Sequence, residues 1–244
     1  MTLRAGLRRW RLPLIGAALL LLVGIGLFQI ARAPCFQLVG EVTCRVDTTE
    51  RVVALSFDDG PTDQGVDAVL AELKPRDLRA TFFLIGQDIE RNPQAARKLL
   101  DAGMELGNHS FSHARMLGHA QSFYDEEVNR TDALLRDAGV QSPRWFRPPY
   151  GKRLIGLPRA VARAGYRTVT WDVADDVGAH PTAQAYAADI IARVRPGSIV
   201  LMHPMYRGNT VERAALPLVL DGLAQQGYRV VTVGELLAMG ESRR

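Results

Sequence analysis

Seven short apolar runs recur along the chain, at 52–57, 80–85, 104–107, 145–147, 166–171, 198–202 and 228–233. Between them the apolar positions take a helical spacing, at 66–73, 93–102, 125–138, 183–195 and 211–226. Continuous apolar strands separated by amphipathic helices predict a parallel sheet covered by helices. Gly103, Gly139, Gly165 and Gly227 stand where a helix should stop, a few residues before the next strand. Seven such strands fit a barrel or an open doubly wound sheet, and periodicity alone does not choose. Both place chemistry in the loops at the C-terminal ends of the strands.

Ionisable residues gather at those ends. The first strand closes on Asp58-Asp59-Gly60-Pro61, two adjacent carboxylates before a turn. One can bind a cation while the other takes a proton; Asp-Gly-Pro is equally ordinary turn chemistry. After the third strand come His109 and His113, which share a face if this turn is helical and can then grip one metal. Two histidines and one of the carboxylates leave a coordination position open, as catalytic sites do. Arg147-Pro148-Pro149-Tyr150-Gly151 puts an arginine and a tyrosine on a backbone stiffened by two prolines. That arginine can hold a carboxylate ionised, or make a structural ion pair only. Trp171-Asp172-Val173-Ala174-Asp175-Asp176 carries three acids after the fifth strand, as a functional group or a solvated loop. Leu201-Met202-His203 ends the sixth, where a histidine on the rim can serve as general acid. His119 and His180 read as surface residues.

The N-terminus sets the compartment. Residues 12–30 carry no charge and are long enough to span a ~30 Å hydrocarbon core. Arg4, Arg8, Arg9 and Arg11 precede them, so the positive-inside rule keeps residues 1–11 cytoplasmic and exports the body. A cleaved signal peptide is the competing reading, with Ala31-Arg32-Ala33 as a small-residue site. The apolar run is longer than a usual signal core, and Pro34 would follow the cut, so an uncleaved anchor is the reading adopted. Of 30 basic residues against 26 acidic, four lie in that leader, which leaves the remainder neutral. No basic stripe with interleaved aromatics exists, which argues against nucleic acid. Cys35 and Cys44 suit a small disulfide loop in an oxidising compartment. Residues 31–50 read as a linker and 51–240 as the exported domain.

Taken in order, SFDDG, HSFSH, RPPYG and LMH resemble the motifs of the NodB-like polysaccharide deacetylases, carbohydrate esterase family 4, over about residues 51–238. The resemblance implies a distorted (β/α) barrel of about seven parallel strands and one divalent metal, usually zinc. It implies Asp59, His109 and His113 as metal ligands, Asp58 as general base and Arg147 as its partner. It further implies the Tyr150 amide as an oxyanion donor, His203 as general acid, and Leu201 as a wall of the acetyl pocket, with Trp171 beside the substrate. The fourth motif departs from the family in lacking a second tryptophan. Its supporting aspartate can be Asp172, Asp175 or Asp176, and Asp176 is the one chosen. The expected reaction removes N-acetyl groups from an acetylated glycan, by a monomer bound to the membrane through its N-terminal helix. An O-acetyl esterase of the xylan type and an inactive glycan-binding barrel are the alternatives.

Overall fold

The computed structural model describes residues 3–174 and 180–241. Helix α1 (Leu3–Arg32) comes first. Its Pro13–Arg32 portion, 20 residues of mean hydropathy 2.4 and 6% buried, is long and apolar enough to cross a membrane. The strands are β1 (Val42–Thr43), β2 (Val52–Asp58), β3 (Thr81–Leu84), β4 (Glu105–Asn108), β5 (Trp145–Phe146), β6 (Arg167–Val169), β7 (Val173–Ala174), β8 (Ile199–Met202) and β9 (Arg229–Val231). The helices of the domain are α2 (Asp63–Leu73), α3 (Gly86–Arg91), α4 (Pro93–Asp101), α5 (Gln121–Asp137), α6 (Gly156–Arg163), α7 (Ala183–Arg193), α8 (Thr210–Gln225) and α9 (Val233–Glu241).

All the strand pairs are parallel, in the order β1-β6-β5-β4-β3-β2-β8-β7, with β9 beside the start of β2. This is a curled, incompletely closed barrel, which resolves the choice between barrel and open sheet. All seven residues of β2 are buried. Alternation along the strands divides them between two cores. Val53, Leu55 and Phe57 face the helices, with Phe82, Leu84, Leu106, Val200 and Met202. Val52 and Ala54 face inward with Phe83, Trp145, Val169 and Ile199. The same parity, carried to the strand ends, turns Asp58, Arg147, Leu201 and His203 toward the barrel axis. Period-two geometry thus turns these four side chains inward.

Two short strands exceed the seven expected from the sequence, and β1 changes the meaning of residues 31–50. They are an integral part of the domain rather than a linker. Val42 and Thr43 pair with β6, and Thr170 N donates to Thr43 O. Two residues after Thr43, Arg45 bridges antiparallel to Ser198, and Val46 N donates to Gly197 O at 2.9 Å. The segment therefore crosses the open side between β6 and β8. Two residues of strand, flanked by polar ones, give too short a pattern to recognise in sequence. The disulfide between Cys35 and Cys44 ties the same segment to itself.

Gly197 permits the crossing. Its φ is +79°, and a Cβ there would stand 1.8 Å from Val46 O. Gly197→Ala must adopt a left-handed backbone and displace the crossing strand together. It should lower stability by about 2 kcal/mol or more, read as a shifted denaturant midpoint with unchanged slope.

Candidate metal centre and catalytic site

Asp59, His109 and His113 meet at the C-terminal mouth of the barrel. One ligand atom from each lies within 4.8 Å of the others, the only such group of His, Cys, Asp or Glu among the described residues. Asp59 Oδ1 is 3.4 Å from His113 Nε2 and 3.7 Å from His109 Nε2. Two ligands each about 2.1 Å from a tetrahedral ion stand roughly 3.4 Å apart, so the separations match a shared ion. Asp59 Oδ1 is buried with no hydrogen-bond partner among the described residues, a costly arrangement unless a cation completes it.

The imidazoles are prepared for that role. His109 Nδ1 lies 2.7 Å from the Arg147 carbonyl, which can only accept, so Nδ1 carries the proton and Nε2 presents its lone pair. Burial pushes the pKa of His109 down, against the pull of Asp58. Burial and the neighbouring His109 lower His113 to about 4. Both are therefore neutral near pH 7, as metal ligation requires. Burial raises Asp59, with Asp58 and Asp88 adding to the rise and His203 and His113 opposing it.

The two histidines do not meet through a helical turn. Residues after β4 are irregular, with Ser110 at φ 65° and His113 at φ 58°, and the rings stand 4.9 Å apart, tilted. Side chains within the loop replace the missing helix. Asn108 Oδ1 accepts from Ser110 N at 2.9 Å, and Ser110 Oγ accepts from His113 N at 3.1 Å. Glu127, buried on α5, accepts from Phe111 N at 3.0 Å, Ser112 N at 2.9 Å and Ser112 Oγ at 2.7 Å. Sequence reasoning missed Glu127; its signal was an acid on the apolar face of a predicted helix. Of the five non-glycine residues with positive φ among the described residues, four lie here: Asp59, Ser110, His113 and Tyr150. Left-handed backbone costs such residues about 1–3 kcal/mol each and gathers at functional sites.

Asp58 is the neighbouring carboxylate. Arg147 donates through Nη1 to its Oδ1 at 2.7 Å, while Oδ2 stays 3.6 Å from His109 Nε2. Burial alone would raise Asp58, but Arg147, His109 and His203 outweigh it and bring its pKa below the ordinary value. Arg147 is itself fully buried, 4.0 Å from the Phe83 ring, and donates through Nη2 to Thr170 O at 2.9 Å. His203 is half-buried just past β8, and its carbonyl accepts from Asn209 Nδ2 at 2.5 Å. Tyr150 is 53% exposed, with its ring 4.7 Å from that of His113. Leu201 is buried in β8. Trp171 lies against Gly151, where a Cβ would come within 3.2 Å of its ring, and 5.7 Å from the Arg147 guanidinium.

Among the three acids of the fourth motif, Asp172 accepts from Ile199 N and Ser198 Oγ, both at 3.0 Å, and from Arg195. It fastens the start of β8, at the opposite end of that strand from His203. Asp175 and Asp176 lie outside the described residues. His119 is exposed and stacked on Phe123, and His180 pairs with Asp189 at 3.5 Å; neither joins the metal group.

Residues 45–169 match the family model for polysaccharide deacetylase. A peptidoglycan-N-acetylglucosamine deacetylase of Bacillus cereus is 35% identical over 204 residues, covering 81% of this chain and 93% of its own. The peptidoglycan-N-acetylmuramic acid deacetylase PdaA of Bacillus subtilis is 31% identical over 201 residues, covering 81% and 75%. The crystal structure of BA3943, a family 4 carbohydrate esterase pseudoenzyme from Bacillus anthracis, superposes with a TM-score of 0.75 at 28% identity, covering 82% and 70%.

Truncating Glu127 removes three hydrogen bonds from the histidine loop and touches no ligand atom. Glu127→Ala should weaken metal binding about 10–100-fold, measured by competition with a chromogenic chelator.

Proposed function

This chain belongs to the polysaccharide deacetylase family, and from that premise we propose that it is a metal-dependent N-deacetylase of cell-wall glycan. The observation that carries the reading is the convergence of an unpartnered buried Asp59 oxygen with two neutral imidazoles, beside a carboxylate kept ionised by Arg147. Two nitrogens and one oxygen leave a coordination position open, and zinc suits that donor set. Held there, a divalent ion supplies positive charge that acidifies water and polarises a carbonyl.

The residues of the chain do the rest. Arg147 fixes Oδ1 of Asp58 and leaves Oδ2 free on the metal side, where it takes the proton of the attacking water. The Tyr150 amide donates to the oxyanion as the acetyl carbon becomes tetrahedral. Trp171 and the tight Gly151 approach hold that turn in place. His203 passes a proton to the sugar nitrogen, so that the carbon–nitrogen bond breaks with amine rather than an anion departing. Water and amide thus give acetate and a free amino sugar. Buried Leu201 supplies an apolar wall for the acetyl methyl group. Asp176 remains the proposed support for His203.

The relatives support a peptidoglycan substrate: the similar Bacillus enzymes are named for its N-acetylglucosamine and N-acetylmuramic acid, and we assign the former. The Pro13–Arg32 span supports an anchor in the cytoplasmic membrane with the domain on its outer side, and the Cys35–Cys44 disulfide suits that compartment.

Acetate release from peptidoglycan, chitooligosaccharides and acetylated xylan, with and without chelator, tests the reading. Release from the first two, lost with the metal and restored by zinc, is expected. Release from xylan alone would make the chain an O-acetyl esterase, and none from any would leave a glycan-binding barrel. Asp58→Asn should keep metal and fold while losing about 10²–10⁴ in rate; near-native turnover would remove Asp58 from the mechanism. His113→Ala should abolish stoichiometric zinc by metal analysis.

A further inference from the structure

The domain does not hang from α1 on a free tether. Arg153, 1% exposed, spends its guanidinium on the chain leaving the helix. Its Nη2 donates to Ala33 O at 2.9 Å, Pro34 O at 3.0 Å and Phe36 O at 3.0 Å, and its Nε to Gln37 Oε1 at 3.0 Å. Its own backbone N–H donates to Ala31 O at 3.0 Å, and Nη1 donates to Gly151 O at 2.6 Å. The helix exit and the turn that carries Tyr150 are therefore one unit.

A second contact sets the height of that unit. Lys152 Nζ lies 4.2 Å from the centre of the Phe28 ring. Phe28 is four residues before Arg32, inside the apolar span, or roughly 6 Å below its end at ~1.5 Å per residue. With α1 read as a span, that contact puts Lys152 near the depth where lipid headgroups meet acyl chains. The surrounding surface has the matching character. Outside α1, five large apolar residues are exposed among the described residues: Phe36, Leu38, Tyr150, Ile155 and Leu218. Four of them fall in the two segments that Arg153 joins. Arg32, Arg115 and Lys152 lie close enough for Arg115 and Arg32 to act on the Lys152 amine. Aromatic and aliphatic side chains among Lys and Arg are the composition of a bilayer interface, where the cations are drawn to anionic headgroups.

We propose that the domain is seated on the membrane through a collar of Phe36, Leu38, Lys152 and Ile155, with the anionic phospholipid surface as its partner, so that the Tyr150 side of the catalytic mouth opens at headgroup level. This rests on the reading of α1 as a membrane anchor.

The full chain, reconstituted in nanodiscs containing phosphatidylglycerol, tests both at once. Single tryptophans are introduced in a Trp10→Phe background at Leu22 within the span, at Phe36 and Ile155 in the collar, and at Leu218 on α8. Emission is compared in plain lipid and in lipid brominated near the headgroup end of the acyl chain. Phe36→Trp and Ile155→Trp should lose emission to an extent comparable with Leu22→Trp, and Leu218→Trp no more than the background protein. Quenching at Leu22→Trp with none at the two collar positions would overturn the docking while leaving the anchor intact. No quenching at Leu22→Trp would remove the anchor and the docking with it.

Discussion

Inside the barrel, two opposite charges meet at 2.7 Å, on Arg147 with 0% and Asp58 with 3% of the side chain exposed. Taking both from water costs several kcal/mol per ion, and the pair persists because each charge is answered. The other arm of the guanidinium bonds the Thr170 carbonyl, its face lies over Phe83, and its own carbonyl fixes the tautomer of His109. One residue thus sets the ionisation of Asp58, the lone pair of His109 and the end of β6. An apolar residue in its place would satisfy the packing and leave Asp58 buried without a counter-charge, to be resolved by protonation. The adjacent prolines restrict the backbone from which these contacts are made.

Much of this was legible in sequence because it depends on period two. The continuous apolar run of β2 predicts a strand, and a count by twos places Asp58 inside once the barrel curls. What stayed hidden depends on contacts remote in sequence. The spacing of His109 and His113 suggested a helical face, whereas the rings converge through left-handed residues braced by Asn108, Ser110 and Glu127. No local pattern announces that Glu127, 14 residues beyond His113, serves the same loop. Asp172 looks in sequence like a member of an acidic catalytic group, yet its partners Ser198 and Ile199 make it a strand fastener. The segment 42–46 reads as polar linker because two residues of strand carry no period, and only the open edge between β6 and β8 gives them a place.

The strain in the site has a consistent geography. Asp59, Ser110, His113 and Tyr150 take left-handed backbone within loops anchored by buried acceptors or stiffened by proline, while the strands beneath them are regular. Rigid scaffold below and over-determined loops above hold Asp59, His109 and His113 together through the protein's own hydrogen bonds. The energetic burden is shared among several hydrogen bonds, so no single one of them needs to be strong.

The chain leaves α1 at Arg32, is gripped by Arg153 within four residues, is looped by a disulfide from Cys35, and enters the sheet at Val42. A flexible stalk would let an anchored enzyme sweep a hemisphere of wall as deep as the stalk is long. This arrangement has almost no slack, so the working radius is the body of the domain itself, roughly 40 Å for about 200 residues. On the proposed reading of α1 as an anchor and of the domain as a wall deacetylase, glycan strands outside that shell would stay acetylated, and the pattern of modification would record the age and position of the wall laid down against the membrane.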